Sequence, residues 1–227
     1  MNILVVYQII KTYVHLMWLK KHCTIFFLFF TLSVLAQKTE LKNGDLLFIN
    51  INCGGMCDAI NAVTNGYKDN DFNHMGLVVA TAKNEYYVYE AIGKSVVKTP
   101  LKDFLAYTKN TIYVGSLKKR YRYFSEKAIE FCESQLGVPY DDDFLYDNGK
   151  YYCSELIYDA FKFANNNKPF FKLFPMTYKE PGSDNFFPVW VKHFAKRGIE
   201  IPEGKPGCNP GGMSLDKKII VSEFSVF

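Results

Sequence analysis

Several common signatures are missing from this chain, and each absence removes a class of function. No apolar run reaches the roughly 20 residues that a bilayer-spanning helix needs, so a stable membrane span is not expected. No glycine loop of phosphate-binding type occurs, and no internal repeat or low-complexity block points to a solenoid or a linker. Short cysteine spacings of the zinc-binding kind should come in pairs, but Cys53 and Cys57 form the single close pair. A zinc site would have to recruit Cys53, Cys57, Cys208 and His74, so neither metal nor cofactor is expected. Excess positive charge is also lacking. The formal net charge of +4 includes Lys11, Lys20 and Lys21 of an N-terminal segment without acidic residues, and setting these three aside leaves +1. With no basic stripe in that balance, nucleic acid is not an expected partner.

What is present is apolar and aromatic. A hydrophobic fraction of 48%, with 16 Tyr and 20 Phe, can offset the ordering entropy of folding and suits a packed, partly β interior. Lys20-Lys21 precedes an apolar run from Ile25 to Ala36, and Val34-Leu35-Ala36 reads as a cleavage site before Gln37. The expectation is therefore a signal peptide, with Met1 to Leu16 an upstream extension if Met17 is the start. Residues 37–227 then form a single domain that is exported, periplasmic or extracellular. No cysteine stands at the cleavage point, so no lipid attachment is expected. Without Cys23 five cysteines remain, an odd number, which in an oxidising compartment implies disulfides and one free thiol. Either Cys53 or Cys57 can pair with Cys208 on this reading, and Cys132 reads as an inert core thiol.

Apolar patterning lays out the elements. Leu46 to Ile51 reads as a first strand, and Cys57 to Thr64 as two helical turns. His74 to Thr81 and Tyr86 to Ala91 read as a hairpin turning at Lys83-Asn84. Strands follow near Val96-Val97 and Thr111 to Gly115, with a helical turn at Pro100 to Phe104. Ser125 is the expected N-cap of a helix over Glu126 to Leu136. The aromatic, proline-rich stretch after Pro169 and the Pro/Gly segment from Pro202 to Gly212 read as covering loops, before a last strand in Lys217 to Phe224.

Tyr151-Tyr152-Cys153-Ser154-Glu155 carries the chemistry. Leu156, Ile157, Ala160, Phe161 and Ala164 fall at helical spacing, so Cys153 lies at a helix N-terminus. Unpaired N–H groups and the positive end of the macrodipole favour a thiolate there, although an isolated cysteine equally suits a buried structural role. A thiol nucleophile needs a base and a group that orients the base. His74 and Glu90 supply both if the hairpin loop has three or five residues, because the two side chains then share one sheet face. A loop of two or four residues would part them. Asp141, Asp142 and Asp143 are either a solvated loop or a selector for a cationic substrate group.

Asn43-Gly44-Asp45-Leu46-Leu47-Phe48, His74-Met75-Gly76-Leu77-Val78, Tyr89-Glu90-Ala91, Gly137-Val138-Pro139-Tyr140-Asp141 and Tyr152-Cys153-Ser154-Glu155-Leu156 resemble the successive motifs of the YiiX/YaeF-type proteins. These are circularly permuted papain-like cysteine hydrolases of the NlpC-type superfamily. The resemblance runs from Gly44 to Trp190. It implies an α+β fold, an antiparallel sheet or half-barrel packed against helices, with Cys153 as nucleophile, His74 as base and Glu90 as orienting acid. It also implies amide or ester chemistry without a cofactor, with Tyr140 or Tyr152 serving the oxyanion.

The function that follows is an exported cysteine amidase or peptidase acting on short or cell-wall peptides. A lipid esterase or acyltransferase with the same triad is the alternative, and an inactive binding module is a third. An apolar groove leading to Cys153 would favour lipid, and a polar cleft rimmed by Asp141 to Asp143 would favour peptide.

Overall fold

The computed structural model describes residues 11–13, 15, 17, 18, 40–83 and 85–225. It divides into two units, Met1–Thr39 and Glu40–Phe227. The described residues of the first are helical. The expected apolar run and cleavage site, Ile25 to Gln37, lie outside the described residues, as do Cys23 and Asn84. Among the described residues no helix is long and apolar enough to cross a membrane.

The second unit is built on a six-stranded sheet, antiparallel throughout, in the order Ser95–Pro100 (β4), Tyr86–Ile92 (β3), His74–Ala80 (β2), Leu46–Ile49 (β1), Ile112–Leu117 (β5) and Ile219–Phe224 (β8), while Phe174–Pro175 (β6) and Pro206–Gly207 (β7) pair apart from it. β1 (Leu46–Ile49) lies between β2 (His74–Ala80) and β5 (Ile112–Leu117). Its four residues are all fully buried, because both faces of the sheet are covered. Leu46, Phe48, Met75, Leu77 and Tyr89 join one core with the helix Cys153–Ala164, while Leu47, Ile49, Val78, Val88 and Phe104 form a second core on the opposite face. β3 (Tyr86–Ile92) and β4 (Ser95–Pro100) complete one edge, and the helix Leu101–Leu105 follows directly. The helix Ser125–Ser134 packs beside the Cys153 helix, and β8 (Ile219–Phe224) closes the other edge. This is the α+β arrangement of an antiparallel sheet against helices.

Several local readings are revised. β1 stops at Ile49 because the Asn73 side chain takes over from the ladder: its Oδ1 accepts the Ile51 N–H at 2.9 Å, and its Nδ2 donates to Asn50 Oδ1 and Ile51 O. Ser125 is the first helical residue rather than a cap, preceded by the 3-10 turn Lys119–Phe124. The aromatic stretch read as covering loops contains a helix, Pro188–Arg197. Proline is at home in a first helical turn, Trp190 and Phe194 bury one face, and Gly198 ends it in the left-handed conformation. A short turn of helix, Pro210–Ser214, follows Asn209, whose Oδ1 accepts the Gly212 N–H at 2.7 Å. Cys53 and Cys57 are bonded to each other rather than to Cys208, because the first turn of the helix Gly55–Val63 brings their Cα atoms to 5.3 Å. Cys132, Cys153 and Cys208 are free and buried.

Candidate active site

The hairpin settles which face each polar side chain takes. β2 and β3 pair Leu77 with Tyr89 and Ala80 with Tyr86, leaving the five residues 81–85 as the connection. The odd loop puts His74 and Glu90 on one face as diagonal neighbours, with Gly76 across from Glu90 when the register is continued. A Cβ at Gly76 would stand 2.3 Å from Val88 Cγ1 and 2.9 Å from Tyr89 O, so the absent side chain leaves room for this pair of strands. His74 Nε2 and Glu90 Oε2 are 2.5 Å apart, and both residues are buried.

Cys153 reaches the same place from the opposite core. It opens the helix that follows extended Tyr152, and its Sγ lies 3.9 Å from the carbonyl oxygen of Asn73, the residue before the histidine. Burial alone would lower the His74 pKa. Its interactions with Cys153 and Glu90 outweigh that and raise it to about 9. Since Glu90 occupies Nε2, the ring nitrogen left for the sulfur is Nδ1. Two further side chains complete the surroundings and had no signal in the sequence. Tyr107 donates its hydroxyl to Glu90 Oε1 at 3.2 Å, and the rings of Phe104 and Tyr107 lie 5.7 and 6.3 Å from the imidazole.

Residues 40–219 match the family described as permuted papain-like amidase enzyme, YaeF/YiiX, C92 family. The chain belongs to this amidase family. It is 31% identical over 137 residues to the uncharacterized protein YiiX of Escherichia coli, a match covering 58% of this chain and 63% of that one. The chain thus spans less than two thirds of that relative's length. The crystal structure of metalloprotein YiiX from Escherichia coli O157:H7 shares the fold, with a TM-score of 0.64 at 24% identity over 81% of this chain and 97% of that one. Among the described residues no three His, Cys, Asp or Glu side chains stand together as metal ligands. Of the residues a zinc site would have to recruit, Cys53 and Cys57 are bonded to each other and His74 Nε2 lies against Glu90.

The two tyrosines separate clearly. Tyr140 is half-buried, and its pKa is pushed well up by desolvation and then by the adjoining Cys153, Asp142 and Asp141. The Tyr152 hydroxyl instead accepts the Cys208 N–H at 3.1 Å, on the far side of the helix start. The acidic run builds its own loop. Asp141 is fully buried and accepts from the N–H groups of Asp143 and Leu145 and from Asn148. Asp143 is held by Arg197 at 2.6 Å and Lys150 at 3.1 Å, and Arg197 keeps its pKa low. Only Asp142 keeps an exposed carboxylate, 3.5 Å from Arg197. The expected selector of a cationic group is therefore mostly consumed in holding the turn. Next to the Cys153 turn there is instead an apolar cleft of about 150 Å³, bounded by Asn73, Tyr152, Ser154, Phe174, Met176 and Trp190, so that the residues on either side of Cys153 form its wall while Cys153 itself does not.

Proposed function

We propose that this amidase hydrolyses amides by acyl transfer to Cys153, with His74 as acid and base and Glu90 holding the imidazole. The observation that carries the reading is the buried imidazole bonded through Nε2 to Glu90 and bearing on the Cys153 thiol with its other side. A protonated His74 favours the thiolate beside it. The sulfur attacks the carbonyl carbon, and the oxyanion is met by the Tyr140 hydroxyl and the N–H groups at the helix start. Nδ1–H then protonates the departing amine as the C–N bond breaks, leaving a thioester. Water, deprotonated by His74, attacks the thioester and releases the acid, and the proton returns to sulfur.

The substrate is an amide with one apolar group beside the scissile bond. A cleft of about 150 Å³ is the size that holds a benzene-like group, enough for an aromatic or branched side chain or for the first carbons of an acyl chain. The apolar lining favours this over a cationic peptide. The chain acts after export directed by its N-terminal segment.

The pH dependence of Cys153 alkylation by iodoacetamide tests the pair without a known substrate. Rapid labelling near about pH 6.5, slowed at least tenfold or so by His74→Ala and less by Glu90→Ala, is the expected outcome. Labelling confined to alkaline pH and indifferent to both substitutions would remove the catalytic reading.

A further inference from the structure

Three segments far apart in the sequence meet at one corner of the sheet, and all three are basic. The turn Lys119–Phe124 carries Lys119, Arg120 and Arg122 among the rings of Tyr121 and Tyr123. Pairing of β5 with β8 reaches Leu117 and Ile219 and continues in the bond from Lys118 N–H to Lys218 O at 2.9 Å, which sets Lys217-Lys218 alongside. The third segment is Phe170 to Lys172. The Phe170 ring ties them together, 5.5 Å from Tyr121, 5.2 Å from Phe124 and 5.1 Å from Lys218 Nζ.

The charge at this corner is one-sided. Asp216 pairs with Lys218 at 3.1 Å, whereas Lys119, Arg120, Lys172 and Lys217 are exposed and have no ion pair among the described residues. Averaging over the chain conceals this, since the cations gathered here are balanced by acids elsewhere. Large apolar side chains stand among the cations, with Tyr123 71% and Leu215 54% exposed. A groove of about 390 Å³ opens between Lys172, Lys217 and Lys218 over Phe171, Phe174 and Met213. Phe174 is a wall of both this groove and the cleft next to the Cys153 turn.

Cations surrounding exposed tyrosine and leucine match the chemistry of an anionic bilayer surface, where charge meets the headgroups and the rings and aliphatics enter the acyl boundary. A nucleic acid would engage the cations and tyrosines but would leave Leu215 and the groove floor without a partner. We propose that this corner docks the protein on an anionic phospholipid bilayer, through Lys119, Arg120, Lys172 and Lys217 with Tyr123 and Leu215 in the interface. Docking stands apart from catalysis. If the hydrolase reading also holds, the groove faces the bilayer and shares the Phe174 side chain with the apolar cleft next to the Cys153 turn.

The test is sedimentation of the full chain, as Cys153→Ala, with vesicles of phosphatidylcholine alone or mixed equally with phosphatidylglycerol. The apolar N-terminal run is common to every variant, so the readout is the extra binding due to phosphatidylglycerol. That increment is expected to vanish at molar salt and to fall at least about tenfold in Lys119→Glu/Arg120→Glu, with Lys109→Glu at the opposite end of β5 as an inert control. Leu215→Ser should weaken binding without changing its salt dependence. Equal binding to both vesicles, or indifference to the charge reversals, overturns the proposal. So does competition by single-stranded DNA together with a silent Leu215→Ser, which would make the corner a nucleic-acid surface. None of these outcomes depends on a substrate, so the hydrolase reading can fail independently.

Discussion

Tyr140 and Tyr152 both lie near Cys153, yet their hydroxyls have different surroundings. Tyr140 is half-buried next to Cys153, whereas the Tyr152 hydroxyl accepts the Cys208 N–H, a bond that also anchors the C-terminal segment to the helix start. Tyr140→Phe is therefore expected to lower kcat by about a hundredfold with little change in KM, the pattern for a donor used in the transition state. Tyr152→Phe leaves a buried N–H without its acceptor and should cost about 1–3 kcal/mol of stability while sparing most of the activity. Steady-state kinetics and urea denaturation on both variants check the assignment. Equal kinetic losses in the two would remove Tyr140 from the oxyanion role.

At the scale of elements, the hairpin is what makes His74 and Glu90 neighbours. Gly76 is its tightest point, since a Cβ there meets both the Val88 side chain and the Tyr89 backbone oxygen, and backbone cannot yield as a flexible side-chain end can. Gly76→Ala is expected to destabilise the fold by about 1–3 kcal/mol and to slow Cys153 alkylation by prising Glu90 from the imidazole. Unchanged stability and labelling would show that the strands relax freely. The sequence reduced the parity of this hairpin to two answers, because side chains alternate with a two-residue period, but the loop length that chooses between them is fixed only by the strand pairing. The Cys153 helix was legible because its stripe of Leu156, Ile157, Ala160 and Phe161 is unbroken. Tyr107 was not, since a half-exposed tyrosine in a turn carries no pattern, and only packing on Phe104 sends it to Glu90. The helix Pro188–Arg197 was hidden by the proline and aromatic residues around it, which resemble loop chemistry until tertiary burial of Trp190 and Phe194 selects a helix. Disulfide partners were equally opaque, because cysteine spacing permits several pairings and only backbone geometry selects one.

The whole molecule should be most stable in mildly acidic solution. Asp45, Glu155 and Asp159 all have raised pKa values through burial, Glu155 to about 8, and an acid with a raised folded-state pKa loses stability as pH climbs from its unfolded value through its folded one. Glu155 has the least compensation, with Oε1 accepting the Asp147 N–H and Oε2 without a partner at hydrogen-bonding distance. His74 adds to the same trend: its pKa is raised from 6.5 to about 9, so its contribution is complete below the former and lost through the latter. Tm is thus expected to fall steadily between about pH 5 and pH 9, and Glu155→Gln should flatten the part below about pH 8. A Tm that rises over this range would contradict the buried state of these groups.

Chain order gives the architecture a consequence in time. The strands carrying His74 and Glu90 are complete by Ile92, and their neighbour β5 by Leu117, well before the nucleophile is synthesised. The bonds that anchor the start of its helix come later still, because Tyr152 and Ser154 are both held by the backbone of Cys208. On a ribosome the acid–base pair can assemble while the thiol waits for a segment more than fifty residues downstream. A nascent chain therefore carries the His74–Glu90 pair before the start of the Cys153 helix is anchored, and that anchoring waits for the emergence of its own C-terminal segment.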